Sequence, residues 1–492
     1  MIDVTLAWIA NAVEGTLNTD SVKDMVISSV STDTRTLQTG DVFIALKGPH
    51  FNGHDHVIKA LERGASALII SELVDCPLPS IQVADTHKAL GMLGAAVRKE
   101  VNPKTIGITG SSGKTTVKEM VASVLAQKGK VLATHGNLNN DIGVPLTLLA
   151  LKRQHKYAVV EMGANHQGEI DYTTMLVRPD AATIVNAAPS HLQGFGSLFG
   201  VARAKSEIFK GLNDDGVSVL NTDSQFYDFW QGKTDNQRVV SFSPDSEIGD
   251  YHAINRFINS DGCGEFELVS PYGKVAIRLR IPGAHNIGNA VLCAALCMQV
   301  GASLEDVQKG LFNMRAVSGR LNVSSIGTNI RLIDDTYNAN VASVKAAIDL
   351  LVTYEGPRVF IFGDMGELGD QSLSYHKQIG EYAKQSGVDA LLTVGTFSRN
   401  ASDIFAETGM HCDDIDSLMK QFNVLLDAAV NADKLPLNVL VKGSRSAKME
   451  RVVDAIAKLD NAHKANIPAS NTEQAPSKDI PLRKNAQESD PC

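Results

Sequence analysis

The chain is poor in the residues that mark several broad classes of protein. Only six of its 492 residues are cysteine, at Cys76, Cys263, Cys293, Cys297, Cys412 and Cys492, and no two form a C-x-x-C pair. That scatter offers neither a disulfide framework nor a thiolate metal centre. Cys293 and Cys297 are four apart and share one helix face, where a reduced core pair is expected. Positive charge is also short: 46 Lys and Arg stand against 55 Asp and Glu, for a formal net charge of −9. Such a balance argues against a general binder of nucleic acid or of anionic membranes. No stretch approaches the roughly 20 apolar residues that span a bilayer. The first fifteen residues lack a basic segment ahead of an apolar run, so no secretory leader is expected and the cytoplasm is the natural compartment.

What the chain does have is length and alternation. Its size calls for about two to four domains, and 43% of its residues are hydrophobic. Apolar runs alternate with helical patterns, the mark of an α/β fold built from βαβ units. Residues 1–100 form an α/β unit with strand-like segments at Asp41–Leu46 and Ala67–Ile70. The segment Arg98–Lys104, RKEVNPK, looks like a linker. Residues 101–317 suggest a mostly parallel sheet. Residues 318–460 suggest a second, Rossmann-like doubly wound unit with strands in IRLIDD, VFIFGD, ALLTVG and NVLVKG. Residues 461–492 are rich in Pro, Ser, Asn and charge, without apolar periodicity, and are expected to be a disordered tail.

The densest chemical signal is Ile106–Thr116, IGITGSSGKTT, which joins a β-branched strand to a helix. Glycines at 110 and 113 let the N–H groups of Gly110, Ser111, Ser112, Gly113, Lys114, Thr115 and Thr116 turn toward a phosphate at the positive end of that helix. Lys114 would reach the β- and γ-phosphates of a nucleotide, and the Thr115 hydroxyl would face Mg²⁺. The loop is shorter than the usual G-x-x-x-x-G-K-[ST], with two residues between its glycines rather than four. In AVVEMGAN a buried strand ends on Glu161, where an α/β sheet places its ligands and a hard cation finds an oxygen donor. Asn286 and Asn289 are three apart on one helix face beside His285, so their amides could read an adenine edge or merely cap the helix. His191 follows a turn and Lys205 lies on a helix. Taken alone, His191 is more often a satisfied structural histidine, and a helix-surface salt bridge is the plain alternative for Lys205.

These segments together resemble the Mur ligase superfamily, which includes the peptidoglycan-precursor ligases and folylpolyglutamate synthetase. The resemblance rests on T-G-S-S-G-K-T-T and on the A-P-S-H-L-Q-G-F-G-S segment with A-K-S-E-I-F after it. It extends to G-A-H-N-I-G-N and to D-D-T-Y-N-A-N, in which Val341 stands where the family has proline. Over residues 25–455 it implies three domains: a UDP-sugar-binding unit, a central P-loop ATPase unit and a C-terminal unit for the incoming amine. It implies two Mg²⁺ ions, held by Thr115, Glu161, His191 and a Lys205 carbamylated by CO₂. Arg320 would reach the γ-phosphate, and Asp335, Tyr337, Asn338 and Asn340 would contact the nucleotide. SVSTDTRT and the following FIALKGPHFNGHDH resemble the UDP-sugar segment and bring in Ser31, Thr34, Arg35, Lys47, Asn52 and His54. VLVKGSRSAKM brings in Lys442, Ser444 and Arg445 on the amine side.

Within the family, the C-terminal segments look like those of the branch joining D-alanyl-D-alanine to a UDP-N-acetylmuramoyl tripeptide, and a monomer is expected. The Asp-Asn-Pro-Arg segment of the branch that adds a diamino acid is missing. That sister ligase and a small-molecule P-loop kinase remain the alternatives. The peptide's third residue, lysine or diaminopimelate, is left open. If the loop works as described, Lys114→Ala will cut amine-dependent ADP release by about a hundredfold or more, measured by a coupled ADP assay.

Overall fold

The computed structural model describes residues 1–189, 192–234 and 237–465. Three α/β units follow one another along the chain. The first has a five-stranded sheet in the order Thr16–Leu17, Ser80–Gln82, Ala67–Ile70, Val42–Ile44 and Val30–Ser31, parallel except for the edge strand Thr16–Leu17. Its central strands read VFI and ALII and are buried along their whole length. Continuous apolar runs of this kind are what a sheet covered on both faces requires.

The helix Thr86–Val101 corrects the linker expected at Arg98–Lys104. Residues 98–101 are its last turn, and only Asn102, left-handed at φ +48°, and Pro103 separate it from the next strand. Arg and Lys late in a helix favour its negative end, so RKE belongs to a helix terminus as naturally as to a linker. The Arg98 guanidinium is buried and donates to Val177 O at 2.8 Å and to Arg178 O at 2.7 Å, both in the next unit. Leu90, Leu93 and Val97 share one core with Val144, Leu148, Ile170 and Val177. The first two units are thus welded together by packing.

The second unit carries a six-stranded parallel sheet in the order Lys130–Ala133, His155–Glu161, Lys104–Thr109, Ala181–Ile184, Val217–Asn221 and Arg238–Phe242. The chain crosses Lys104–Thr109 when it moves from one half of the sheet to the other, and ligands collect at the carboxyl ends of strands at such a crossing. An antiparallel sheet of His252–Ile258, Cys263–Ser270 and Gly273–Pro282 follows, which the expectation of βαβ units alone did not anticipate. Its middle strand alternates buried and half-buried residues from Phe266 onward, a period-2 signal consistent with one covered face. The helix His285–Gln299 packs Val291, Leu292 and Ala295 into a core shared with Val117 and Val121 of the helix after the phosphate loop. Cys293 and Cys297 are buried and free in that core, with sulfurs 3.9 Å apart.

The third unit orders its sheet as Asn322–Ile326, Ile330–Asp335, Leu437–Lys442, Arg358–Gly363, Ala390–Val394 and Gly409–Cys412, parallel apart from the first edge strand. Helices Val341–Thr353 and Ser372–Gln385 cover one face, and Ile415–Asn431 with Glu450–Ala465 cover the other. Leu437–Lys442 therefore lies where neighbouring connections leave to opposite faces, the crevice favoured for a ligand. The last helix runs to Ala465, so residues 461–465, expected in the tail, continue it; alanine and lysine in NAHKA are good helix formers. Residues 466–492 lie outside the described residues. Among the described residues no helix is long and apolar enough to cross a membrane. Arg98→Met should lower the unfolding free energy by about 2–4 kcal/mol, because two carbonyls, one buried and one half-buried, lose a charged donor; denaturant titration measures it.

Candidate active site at the phosphate loop

The loop leaves the sheet after Thr109 and enters the helix Lys114–Leu125 at Gly113, whose φ of +77° is readily adopted only by glycine. A side chain there would also press on Val185 and Asn289. The turn is held from the neighbouring strand. Ser111 N donates to Asn186 O at 3.0 Å, Ser112 N donates to Asn186 Oδ1 at 3.0 Å, and Ser111 Oγ donates to Ala188 O at 2.9 Å. Asn186 sits just past the strand Ala181–Ile184, and its role went unread in the sequence; a polar residue at the end of a strand beside the loop was the available signal.

Lys114 turns its ammonium back onto Gly110 O at 2.8 Å. Removal from water lowers its pKa, opposed by attraction to Glu161 and reinforced by repulsion from Arg320. Thr115, buried, donates its hydroxyl to Glu161 Oε2 at 3.0 Å and accepts from Arg320 Nη2 at 2.9 Å. Asn139 Nδ2 donates to the other Glu161 oxygen at 2.9 Å, and Thr134 Oγ1 accepts from Glu161 N at 3.0 Å. Neither Asn139, in a stretch with only the composition of a loop, nor Thr134, just past a strand, was foreseen. Thr116, on the same first turn, is half-buried.

Arg320 comes from the start of the third unit. Its guanidinium stacks 4.3 Å over the Tyr337 ring, and its Nε is buried without a hydrogen-bond partner among the described residues. A buried donor of this kind beside a phosphate loop has the chemistry to meet an anion's oxygen. Asn340 Nδ2 reaches Ser111 O at 3.4 Å, so two residues of the third unit touch the loop. Asn338 is exposed. Asn289 Nδ2 donates to Asn286 Oδ1 at 2.9 Å, and Asn286 Nδ2 donates to Pro282 O at 2.7 Å. Asn286 thus serves the backbone, and Asn289 is the amide that faces Gly113.

Oxygen donors at Thr115 and Glu161, set against each other, fit a hard divalent cation. Lys205 is buried in the helix Leu198–Ser206. Burial first, then the charge of Lys114, pushes its ammonium well below the ordinary lysine value. The neutral amine this favours is the form that reacts with CO₂, and the surface ion pair is excluded. His191 lies outside the described residues.

The other predicted positions divide in two. Lys47, Asn52 and His54 come together around Glu72, which the sequence reading missed: Lys47 Nζ is 2.5 Å from Glu72 Oε1, and Asn52 Nδ2 donates to Oε2 at 3.1 Å. His54 spends both nitrogens on the protein, Nδ1 on Asn52 Oδ1 at 2.7 Å and Nε2 accepting from Ser71 N at 2.9 Å. Both contacts hold the loop, and burial lowers the pKa of His54. Ser31 Oγ donates to Asp33 O at 3.0 Å, Thr34 is buried, and the exposed Arg35 is paired with Asp33 at 2.6 Å. That pairing holds the Asp33 carboxyl down at about 2.

On the amine side, Ser444 binds back to Asp364 O through N and Oγ, at 2.9 and 2.7 Å, and Arg445 is exposed, 3.6 Å from Glu450. Lys442 keeps its ammonium buried on Asp335 and Asn338 O. Asp335 in turn spends both carboxylate oxygens on the protein, one on Lys442 and one on Leu321 N at 3.2 Å. A buried ammonium needs an anionic partner, and the end of the adjacent strand supplies it. If Lys205 works as a carbamate, Lys205→Ala should lose nearly all activity and regain part of it with short carboxylic acids. Turnover at the normal rate without them would rule that role out.

Models of the Mur ligase family match along the chain: its catalytic domain at residues 26–106, the Mur ligase middle domain at 108–297, and the glutamate ligase domain at 319–445. The UDP-N-acetylmuramoyl-tripeptide--D-alanyl-D-alanine ligase of Escherichia coli (strain K12) is 46% identical over 456 residues, covering 93% of this chain and 99% of that one. The crystal structure of MurF from Acinetobacter baumannii superposes with a TM-score of 0.87 at 36% identity, over 93% of this chain and 99% of that chain. MurF ligase from Thermotoga maritima, in complex with ADP, gives 0.76 at 25% identity, over 88% and 98%. With three family models in succession and a relative matched over nearly its whole length, the chain belongs to the Mur ligase family.

Proposed function

We propose that this chain is an ATP-dependent ligase that joins D-alanyl-D-alanine to a UDP-N-acetylmuramoyl tripeptide, giving the pentapeptide precursor of peptidoglycan, ADP and phosphate. The observation that carries the reading is the reach of Arg320, from the third unit, onto Thr115 in the phosphate loop of the second. A chain that closes one α/β unit over the nucleotide of another can bring an amine to an activated acid. The 46% identity with the Escherichia coli ligase supports the choice of substrates.

In the first step the tripeptide carboxylate attacks the γ-phosphorus of ATP, the bond to the ADP oxygen breaks, and an acyl phosphate forms. The amine of D-alanyl-D-alanine then attacks the acyl carbon, phosphate departs with the acyl–oxygen bond broken, and the nitrogen gives up a proton to leave an amide. Lys114 and Arg320 offset the charge that develops on the transferred group. Two Mg²⁺ ions would sit among Thr115, Glu161, His191 and the Lys205 carbamate and supply further charge neutralisation. The carbamate arises when the neutral Lys205 amine adds to CO₂ and loses a proton. Closure of the third unit would exclude water from the acyl phosphate.

We assign residues 1–100 to the UDP-sugar, 101–317 to ATP and 318–460 to the amine. Asn289, Tyr337 and Asn340 are the nucleotide contacts best placed in this set. The reaction belongs to the cytoplasm, and the chain acts as a monomer with the loop and its arginine on one polypeptide. A phosphate-release assay over a panel of muramoyl peptides and amines should show turnover only with the tripeptide and D-alanyl-D-alanine together. Turnover with a free diamino acid on the dipeptide precursor would point to the sister reaction instead.

A further inference from the structure

Lys442 ends the strand Leu437–Lys442, directly across the ladder from Asp335 at the end of Ile330–Asp335. Its side chain is 1% exposed. The ammonium pairs with Asp335 Oδ2, donates to Asn338 O at 3.0 Å, and lies 3.5 Å from Asp335 O. The free oxygen of that same carboxylate accepts from Leu321 N at 3.2 Å. Leu321 is a non-glycine residue in the left-handed region, at φ +50°. Such a conformation persists only where its surroundings hold it. The residue before it is Arg320, whose guanidinium leans on Tyr337 and reaches Thr115. Tyr337 is tied down in turn by its N–H to Gly319 O at 3.0 Å.

We infer that Lys442 is a positioning residue: by anchoring Asp335 it fixes the Leu321 turn, and through that turn it aims Arg320 at the phosphate loop. This rests on the ligase reading and deepens it. Lys442 serves phosphoryl transfer through Asp335 and the Leu321 turn and makes no contact with the amine. Charge supports the arrangement, since Lys114, Arg320 and Lys442 are three cations in one region and the Asp335 carboxylate bonds both Lys442 and the backbone N–H that follows Arg320. Without it, Lys442 would be a buried charge with no counter-ion. The strand ladder makes the coupling rigid, because Asp335 and Lys442 are register partners.

The test uses the full chain with Lys442→Met and Asp335→Asn, singly and combined, beside the wild type. Each substrate is varied in turn. Lys442→Met should lower kcat about tenfold or more while leaving KM for D-alanyl-D-alanine within about twofold. Asp335→Asn should do the same, and the double variant should be no worse than the poorer single one, because the pair acts as a unit. A raised KM for the dipeptide at unchanged kcat would make Lys442 an amine contact and overturn the inference, as would losses that add in the double variant. Should Lys442→Met not fold, the double variant, which leaves no buried unpaired charge, is compared with Asp335→Asn; unequal kcat values then count against the proposal.

Equilibrium binding reads the same chain of contacts without turnover. Lys442→Met should weaken a non-hydrolysable ATP analogue about fivefold or more and ADP by less than about twofold, since Arg320 serves the γ-phosphate. Equal weakening of both nucleotides, or of neither, overturns the inference. A wild-type chain that binds ATP but forms no ADP in response to both substrates would count against the ligase reading alone, leaving the binding arm to decide on Lys442.

Discussion

The site depends on one hydroxyl held between two opposite charges. Thr115 donates to Glu161 and accepts from Arg320, so a carboxylate at a strand end and a guanidinium from another unit are joined through the first turn of a helix. The neighbourhood follows from this. Glu161 is buried and tolerable there because Asn139, Thr115 and its own backbone partner Thr134 satisfy it. Arg320 holds its place because Tyr337 lies under it and the Leu321 turn locks its backbone. In a partly desolvated site these contacts are worth more than on a surface, and for the same reason a missing partner costs more.

Geometry of the sheets explains why three units are needed. The central sheet presents Thr109, Glu161 and Ile184 at neighbouring strand ends, which fixes the loop and its carboxylate within hydrogen-bond reach. The sheet itself does not supply the guanidinium that meets Thr115. The third unit does so from its own crevice, where Asp335 and Lys442 close adjacent parallel strands. The first unit contributes rigidity at the opposite side, since its helix Thr86–Val101 is packed into the second unit's core and held by Arg98. Two units therefore form one body against which the third can act.

Strands of the parallel sheets were legible from apolar runs, and the phosphate loop from its glycines and Lys114. The antiparallel sheet at 252–282 was harder to see, because its alternation is interrupted by register shifts near Ile254 and Cys263. RKEVNPK read as a linker because charge density alone does not tell a helix end from a coil; the carbonyl partners of Arg98 lie 79 and 80 residues away. Similarly, nothing local says that His54 and Lys442 face inward onto protein atoms.

From the sequence alone come the elements whose cause is local: where glycine must turn the backbone, which runs need two covered faces, and which residue types suit a phosphate. Family likeness adds a chemistry to those positions. Tertiary structure alone decided which polar groups are spent on the protein and which remain for a ligand. The physical reason is that a hydrogen bond is satisfied by whatever atom arrives at about 3 Å, and in this fold those atoms come from strands tens to hundreds of residues apart.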